Sequence, residues 1–344
     1  MATLMWISHS ERPLNVDELC HALAVEIGSS DLNNNNNPSI RTVLGCCQGL
    51  TAVDRGSSTI RLIHFTLEEY LSHHADLFDK PHSVIAETCL TYLNFQAIKV
   101  LSADPFHDFR GPPFLKYASL HWGTRMRMES SDHSRYLARD LLDQCGHHIS
   151  HKLLSKSLNW PFNLPPHSVH YISYFGIAEV AVDLIKTKRW GVNERGDGGL
   201  TPLMWAARDG REEVVKLLLE QKHTELDIPD RYGQTALSWA AKSGHEGVVK
   251  QFLSRQFVNP GSIGRLWGTP QVMSLLFGRK YVNPDRPDEF GFTPLTWAAR
   301  GGHEGVVKLL LEQEDVNPNK PDDDCGTPLS WAAKNGCDEA VKQL

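Results

Sequence analysis

Along the second half of the chain the apolar positions recur in two alternating patterns with a fixed period. A short apolar run appears four times as near-copies, TPLMWAA from Thr201, TALSWAA from Thr235, TPLTWAA from Thr293 and TPLSWAA from Thr327, separated by 34, 58 and 34 positions. Each is closed by a glycine (Gly210, Gly244, Gly302, Gly336) and followed by a run such as EEVVKLLLEQ or EGVVKLLLEQ. In that run Val and Leu fall on one helical face and charges on the other. The Thr hydroxyl suits an N-cap, Pro suits the first helical turn, and Gly suits a left-handed helix end. Every unit is therefore predicted to hold a short inner helix, a tight turn, an amphipathic outer helix and a polar return loop. A unit this small cannot bury its apolar face alone and must stack on neighbours.

A weaker copy, HSVHYISYFGIAEVAVDLI around Tyr171, opens the array, and one internal copy is short. WGTPQVMSLLFGRKYVNPD has Thr269 in register, yet Asn283 follows after 14 positions, against 24 from Thr293 to Asn317. Aligned from its right-hand end, it lacks the counterpart of Leu295 to Glu304, which is most of an inner helix with its Trp, its Ala pair and its basic residue. Thr-Pro is expected to lead straight into the outer helix, leaving a notch in the stack and a missing rung between Lys242 and Arg300. The array then has about six units over residues 158–344, the fourth shortened near 265–284 and the last truncated. The last, ending in DEAVKQL, is expected to leave apolar surface at that end, which fits a piece of a longer architecture.

The first 95 residues carry no such period. NVDELCHALAVEIG reads as a helix capped by Asn15, with Leu19, Leu23 and Ile27 at helical spacing. NNNNNP is a polar loop, and Ser39 caps a helix over IRTVLGCC. LTAVD and TIRLIHF flank the turn RGSS as an antiparallel hairpin, and TLEEYLSHHADLF and PHSVIAETCLTYL read as helices. Residues 96–157, with FLKYASLHWG and SRYLARDLLDQC, read as a helical connector.

Composition is that of an ordinary soluble chain: 344 residues, 41% hydrophobic and 22% charged. The net charge of −6 argues against a chain whose main work is on a phosphate backbone. Residues 1–95 hold 5 Lys or Arg against 11 Asp or Glu, so a hairpin-and-helix surface there repels DNA. Seven cysteines without a C-x-x-C pair point to reduced thiols and a cytoplasmic or nuclear setting. The apolar run LMWI is too short for a signal-peptide core, no stretch approaches a membrane span, and no membrane partner is expected.

The repeated units resemble ankyrin repeats over roughly residues 160 to 344. They depart from the family at its usual His position, occupied here by Met204, Ser238, Thr296 and Ser330, each followed by Trp. The resemblance implies a curved α-solenoid of helix pairs whose concave face binds other proteins. WISHSERPLNVDELCHALAV, SIRTVLGCCQGLTAVD and STIRLIHFTLEEYL are similar to the winged-helix segment, of GPI inositol-deacylase type, of fungal signal-transduction NTPases. In that family a nucleotide-binding NACHT module precedes the segment and ankyrin repeats often follow. No G-x-x-x-x-G-K-[ST] is present, so nucleotide binding is not carried over, and no G-x-S-x-G supports lipase chemistry. The fold class expected is mainly α: an α-solenoid preceded by a winged-helix-like α+β domain (1–95) and the helical connector.

No catalytic, cofactor or metal site is expected. Cys145, His147, His148 and His151 in CGHHISH lack a second ligand pair at metal-like spacing. His64, Glu68, Glu69, His73 and His74 fall on an ordinary polar helix face. The strongest candidate is the solenoid. The residue after each Ala pair is basic (Arg208, Lys242, Arg300, Lys334) and forms a ladder facing the concave side by family geometry. Trp205, Trp239, Trp297 and Trp331 form a second column. Asp209, Tyr232, Gln234, Ser243, Phe290, Phe292 and Asn335 flank these columns as further partner-binding candidates. The Trp column reads as stack framework or as interface anchors, and the basic column as solubilising charge or as partner contacts. The favoured function is a non-enzymatic protein-interaction module of an intracellular signalling receptor, binding an unidentified partner with acidic segments. The alternative is the sensor and hinge of a STAND-type switch whose NTPase module is separate. Nucleic-acid binding through the winged helix, whose candidate recognition helix carries only Arg41 as a basic residue, ranks third.

Overall fold

Local capping sets the first elements of the chain. Helix α1 spans Ala2–His9 and α2 spans Val16–Ala24, with Asn15 and Glu18 forming a reciprocal capping box. Glu18 is buried yet satisfied, since it also takes both guanidinium branches of Arg12 at 2.6 and 2.8 Å. Helix α2 ends earlier than the apolar spacing predicts. Val25 turns extended, Gly28 sits at φ 88°, and Ile27 lies outside the helix and exposed. Ser39 caps α3 (Ile40–Cys46) through the Thr42 N–H.

Strands β1 (Thr51–Asp54) and β2 (Thr59–Leu62) pair antiparallel with Thr51 opposite Leu62. The chain before α2 lies along β2 through Val16 N–H to Ser58 O and Ile60 N–H to Leu14 O, adding the short third edge of a winged helix. Helix α4 (Phe65–His73) follows, capped by His64.

The computed structural model describes residues 1–54, 56–74, 77–101, 111–144, 148–157, 168–187, 191–254 and 282–344, and divides into units Met1–Ser168 and Val169–Leu344. Helices α5 (Pro81–Leu93), α6 (Gln96–Lys99), α7 (Leu115–Met128), α8 (Asp132–Asp143) and α9 (Ile149–Ser157) complete the first unit. Residues beyond 95 do more than connect. Helix α7 packs along α5, and Phe114 meets Trp6 at 5.6 Å and Tyr92 at 5.2 Å. Trp6, Tyr92, Phe114 and Tyr117 are all essentially buried, so the aromatic core of the winged-helix side is closed by the helices after it.

The second unit holds five helix pairs among the described residues. They are α10 (Ser168–Phe175) with α11 (Ala178–Lys186), α12 (Pro202–Arg208) with α13 (Glu212–Glu220), and α14 (Ala236–Ser243) with α15 (Glu246–Leu253). Then come α16 (Pro294–Gly301) with α17 (Glu304–Leu311), and α18 (Pro328–Lys334) with α19 (Asp338–Gln343). Inner helices α12, α14, α16 and α18 pack in sequence, and the outer helices α11, α13, α15, α17 and α19 do the same. Leu203, Leu237 and Leu295 and the paired alanines between them are fully buried; each leucine contributes about 2 kcal/mol of apolar burial.

The notch expected between Lys242 and Arg300 is absent. Helix α14 packs directly on α16, with His303 Nε2 donating to the Lys242 carbonyl at 3.0 Å and Glu289 N–H to the Tyr232 carbonyl at 3.0 Å. The 58-position interval is therefore one stacking step in space. The shortened copy and its expected entry into an outer helix lie in residues 255–281, outside the described residues. No described helix is long and apolar enough to cross a membrane.

Candidate protein-binding face

Inner helices α12, α14, α16 and α18 each start on a threonine. The hydroxyls of Thr201, Thr235, Thr293 and Thr327 accept from the N–H three residues on, at 3.3, 3.2, 3.1 and 3.3 Å. Helices α10, α12, α14 and α16 end where the next unit reaches back. Arg211 Nε donates to the Tyr174 carbonyl at 2.9 Å, His245 Nε2 to that of Arg208 at 2.8 Å, His303 to that of Lys242, and Asn335 to that of Arg300 at 2.7 Å. The carbonyl otherwise orphaned at the helix end is thereby satisfied by the neighbouring repeat. Gly244 permits this closeness: it sits at φ 76°, and a Cβ there would fall 2.5 Å from His303 Nδ1.

An aspartate five residues before the threonine organises the hairpin loops that lead into α14, α16 and α18. Asp288 Oδ1 accepts from Phe290 and Phe292 N–H at 3.0 and 2.9 Å, while Oδ2 accepts from Trp297 Nε1 at 3.0 Å. Asp230 does the same for Tyr232, Gln234 and Trp239, and Asp322 for Asp324, Gly326 and Trp331. Burial is the largest influence on Asp230 and pushes its carboxyl pKa up, against the hydrogen bonds it accepts from Gln234, Tyr232 and Trp239. In the first full repeat this place is Gly196, and the buried Trp205 Nε1 has no hydrogen-bond partner among the described residues.

The basic residues stack on the tryptophans. Arg208 lies 4.1 Å from the Trp205 ring centroid, Lys242 4.9 Å from Trp239 and 4.0 Å from Trp297, and Lys334 4.5 Å from Trp331. Arg300 stands over three rings, Phe292 at 5.6 Å, Trp297 at 5.4 Å and Trp331 at 4.9 Å. The rungs differ in what they offer to solvent. The Arg208 side chain is 10% exposed and held bidentate by Asp209 at 2.7 and 3.1 Å. Lys242 is half-buried, and burial lowers its pKa, opposed mainly by the nearby Asp288 carboxylate. Arg300 and Lys334 are exposed.

Of the residues singled out by sequence, Trp205, Trp239 and Gln234 belong to the interior. The two indoles are covered, and Gln234 is buried with Nε2 at 3.4 Å from Asp288 Oδ2. Ser243, Tyr232, Phe292, Trp297 and Trp331 are part-exposed, and Phe290 (50% exposed) and Asn335 are open to solvent. Sequence reasoning missed the aspartate column and Tyr174, the first unit's counterpart of the basic rung. The signal for both was positional: Asp recurs five places before three of the four threonines, and Tyr174 lies 34 before Arg208.

In the first unit His148 is buried and its ring is fully used. Nε2 donates to Leu93 O at 2.9 Å, and Nδ1 meets the Ser150 hydroxyl at 2.7 Å and its N–H at 3.1 Å. It acts as a helix cap, while Cys145 and His147 lie outside the described residues. The candidate recognition helix α3 presents Arg41 to solvent.

Comparison with known families agrees with this architecture. The winged helix domain described as that of GPI inositol-deacylase matches residues 1–80. No curated protein matches the chain. The family described as ankyrin repeats (3 copies) matches residues 169–261 and 266–344, which together make up half of the chain. With its Thr-capped inner helices, bonds from each repeat back to the one before it and 34-residue step, the chain belongs to the ankyrin-repeat family.

Proposed function

We propose that the chain is a non-enzymatic recognition module of an intracellular signalling system, and that the inner-helix and hairpin-tip face of its ankyrin unit binds an acidic segment of a partner protein. Ankyrin repeats are a protein-interaction fold, and what carries the finer reading is the row of cations stacked on aromatic rings from Trp205 to Lys334. Aromatic and arginine side chains are the common anchors of interfaces. The cations set the sign of the partner, because a like-charged segment is repelled and an acidic one is steered in. Tyr232 and Phe290 hold equivalent positions in successive hairpin loops. Candidate contacts reduce to Tyr232, Phe290, Phe292, Trp297, Arg300, Trp331, Lys334 and Asn335.

The test is affinity capture from the source cells with the intact chain and with Arg300→Glu/Lys334→Glu. Both side chains are exposed, so folding is expected to survive, checked by the thermal transition. Loss of the specifically captured proteins supports the assignment, whereas an unchanged set sinks it.

A further inference from the structure

The rungs of the ladder are not equivalent, and the difference identifies the chemistry of the segment it takes. Arg208 is neutralised by Asp209, and Lys242 is half-buried between two indoles. Arg300 is exposed, and among the described residues no carboxylate lies within ion-pair distance of it. Yet it is not a loose surface arginine, because its guanidinium stands over a cradle of three rings. Phe292 meets Trp297 at 4.9 Å and Trp331 at 5.4 Å, so the cradle spans two successive repeats.

The cradle occurs at one rung only. The position of Phe292 is Leu200, Gln234 and Gly326 in the other full repeats, the first two buried. The bareness of Gly326 also matters, since a Cβ there would sit 2.6 Å from Trp331 Nε1 and 2.8 Å from Asp322 Oδ2. The Asp322 to Trp331 bond that fixes one wall of the cradle therefore depends on it. Two residues before Phe292 the hairpin tip presents Phe290, 50% exposed. A planar cation fixed on aromatic faces has surrendered its side-chain entropy before a ligand arrives, and its outward N–H fork matches a carboxylate bidentately.

We propose, resting on the reading of the ankyrin face above, that Arg300 is the anchor of that face and recognises an Asp or Glu carboxylate of the partner segment, with Phe290 receiving an apolar side chain beside that carboxylate. The motif is thus acidic plus apolar, and the remaining basic rungs add steering and no selectivity.

A displayed library of random dodecapeptides panned on the intact immobilised chain tests this. Enrichment of sequences that set Asp or Glu next to Leu, Ile, Phe or Trp is expected. A fluorescein-labelled peptide of the enriched consensus is then titrated against variants. Arg300→Gln is expected to weaken binding by at least about tenfold, the loss of one charge-assisted pair. Arg300→Lys keeps the charge without the fork and is expected to lose about threefold, and Phe290→Ala a similar amount. Arg208→Gln is expected to stay within about twofold, as an internally paired charge does. Consensus peptides lacking acids, no enrichment, or Arg300→Gln within twofold of wild type overturn the proposal. If Arg300→Gln is silent while Arg300→Glu/Lys334→Glu abolishes peptide binding, this inference falls and the broader assignment of the face stands. If the double reversal is also silent, the broader assignment falls with it.

Discussion

The two units bury polar side chains by opposite means. In the first, the buried groups that are paired use arrangements that differ from one another. Arg125, with its side chain 6% exposed, donates to His82 Nδ1 at 2.8 Å and pairs with Glu11 at 3.1 Å. Ser131 donates to Glu87 at 2.5 Å, and His148 caps its own helix. In the ankyrin unit a single circuit of Asp, loop N–H groups and Trp is made three times over. A repeated circuit spreads the consequence of any one error over near-identical neighbours, whereas a unique network fails as a whole.

The sharpest break of that contrast is Arg125→Ala. It leaves His82 without its donor and removes the cation facing Glu11, and is expected to cost about 3 kcal/mol, with faster hydrogen exchange across residues 81–142 and little change in 201–344. Removing one copy of the repeated circuit is expected to do less. Asp288→Ala deletes the acceptor for two loop N–H groups and one indole, about 2 kcal/mol, and should redden Trp297 emission as water reaches the ring. A protein that loses as much from Asp288→Ala as from Arg125→Ala would erase the distinction between the two designs.

Acidification should separate the units by sign. Burial, then the Arg125 charge, holds His82 below the usual imidazole pKa, although Glu129 and Glu11 pull it the other way. His9 is lowered by burial and by His82 and Arg125, and burial takes His121 and His151 to about 4. A base whose folded pKa is lowered binds fewer protons folded than unfolded. The first unit is therefore fully stable above about pH 6.5 and loses stability as pH falls from there toward about 4. In the ankyrin unit Asp227 and Asp230 are raised, chiefly by burial, so those two carboxyls favour the folded state as pH falls. Peptide-resolved hydrogen exchange at pH 7 and pH 5, corrected for intrinsic rates, is expected to show opening of residues 81–128 first. Earlier opening of 201–344 would contradict this assignment of the shifts.

Legibility followed the range of the interactions. Thr201, Asn15 and Ser39 were recognisable as caps because a cap and its acceptor lie within three residues. The hairpin from Thr51 to Leu62 and the alternation of inner and outer helices were equally local. The Asp-to-Trp bond spans nine positions through loops of changing composition, and only alignment on the threonine brings the aspartates into a column. The 58-position interval misled because period counts chain, and stacking counts helices. Helices α14 and α16 are successive in the stack although 58 positions separate their capping threonines. The Arg125 network was out of reach altogether, since His82 is 43 residues away and no pattern relates them.

The smallest expected effects test whether the repeats are interchangeable parts. Gly196 occupies the aspartate position, with its N–H bonded to Leu200 O as Asp230 N–H is to Gln234 O, while Trp205 Nε1 stays unpaired among the described residues. Gly196→Asp is expected to supply that acceptor and to stabilise by about 1 kcal/mol, read from chemical denaturation. Cys325 stands where Asp230 and Asp288 are followed by Gly233 and Gly291, and holds φ 62° with a side chain. Cys325→Gly relieves that left-handed strain, with an expected gain of about 1 kcal/mol or less. The two sites lie in the first and last full repeats, so their gains should add. If Gly196→Asp instead destabilises, the circuit does not transfer between repeats. The first repeat would then have its own way of holding Trp205, through the Tyr174 ring at 6.2 Å and the Arg208 guanidinium stacked on its face.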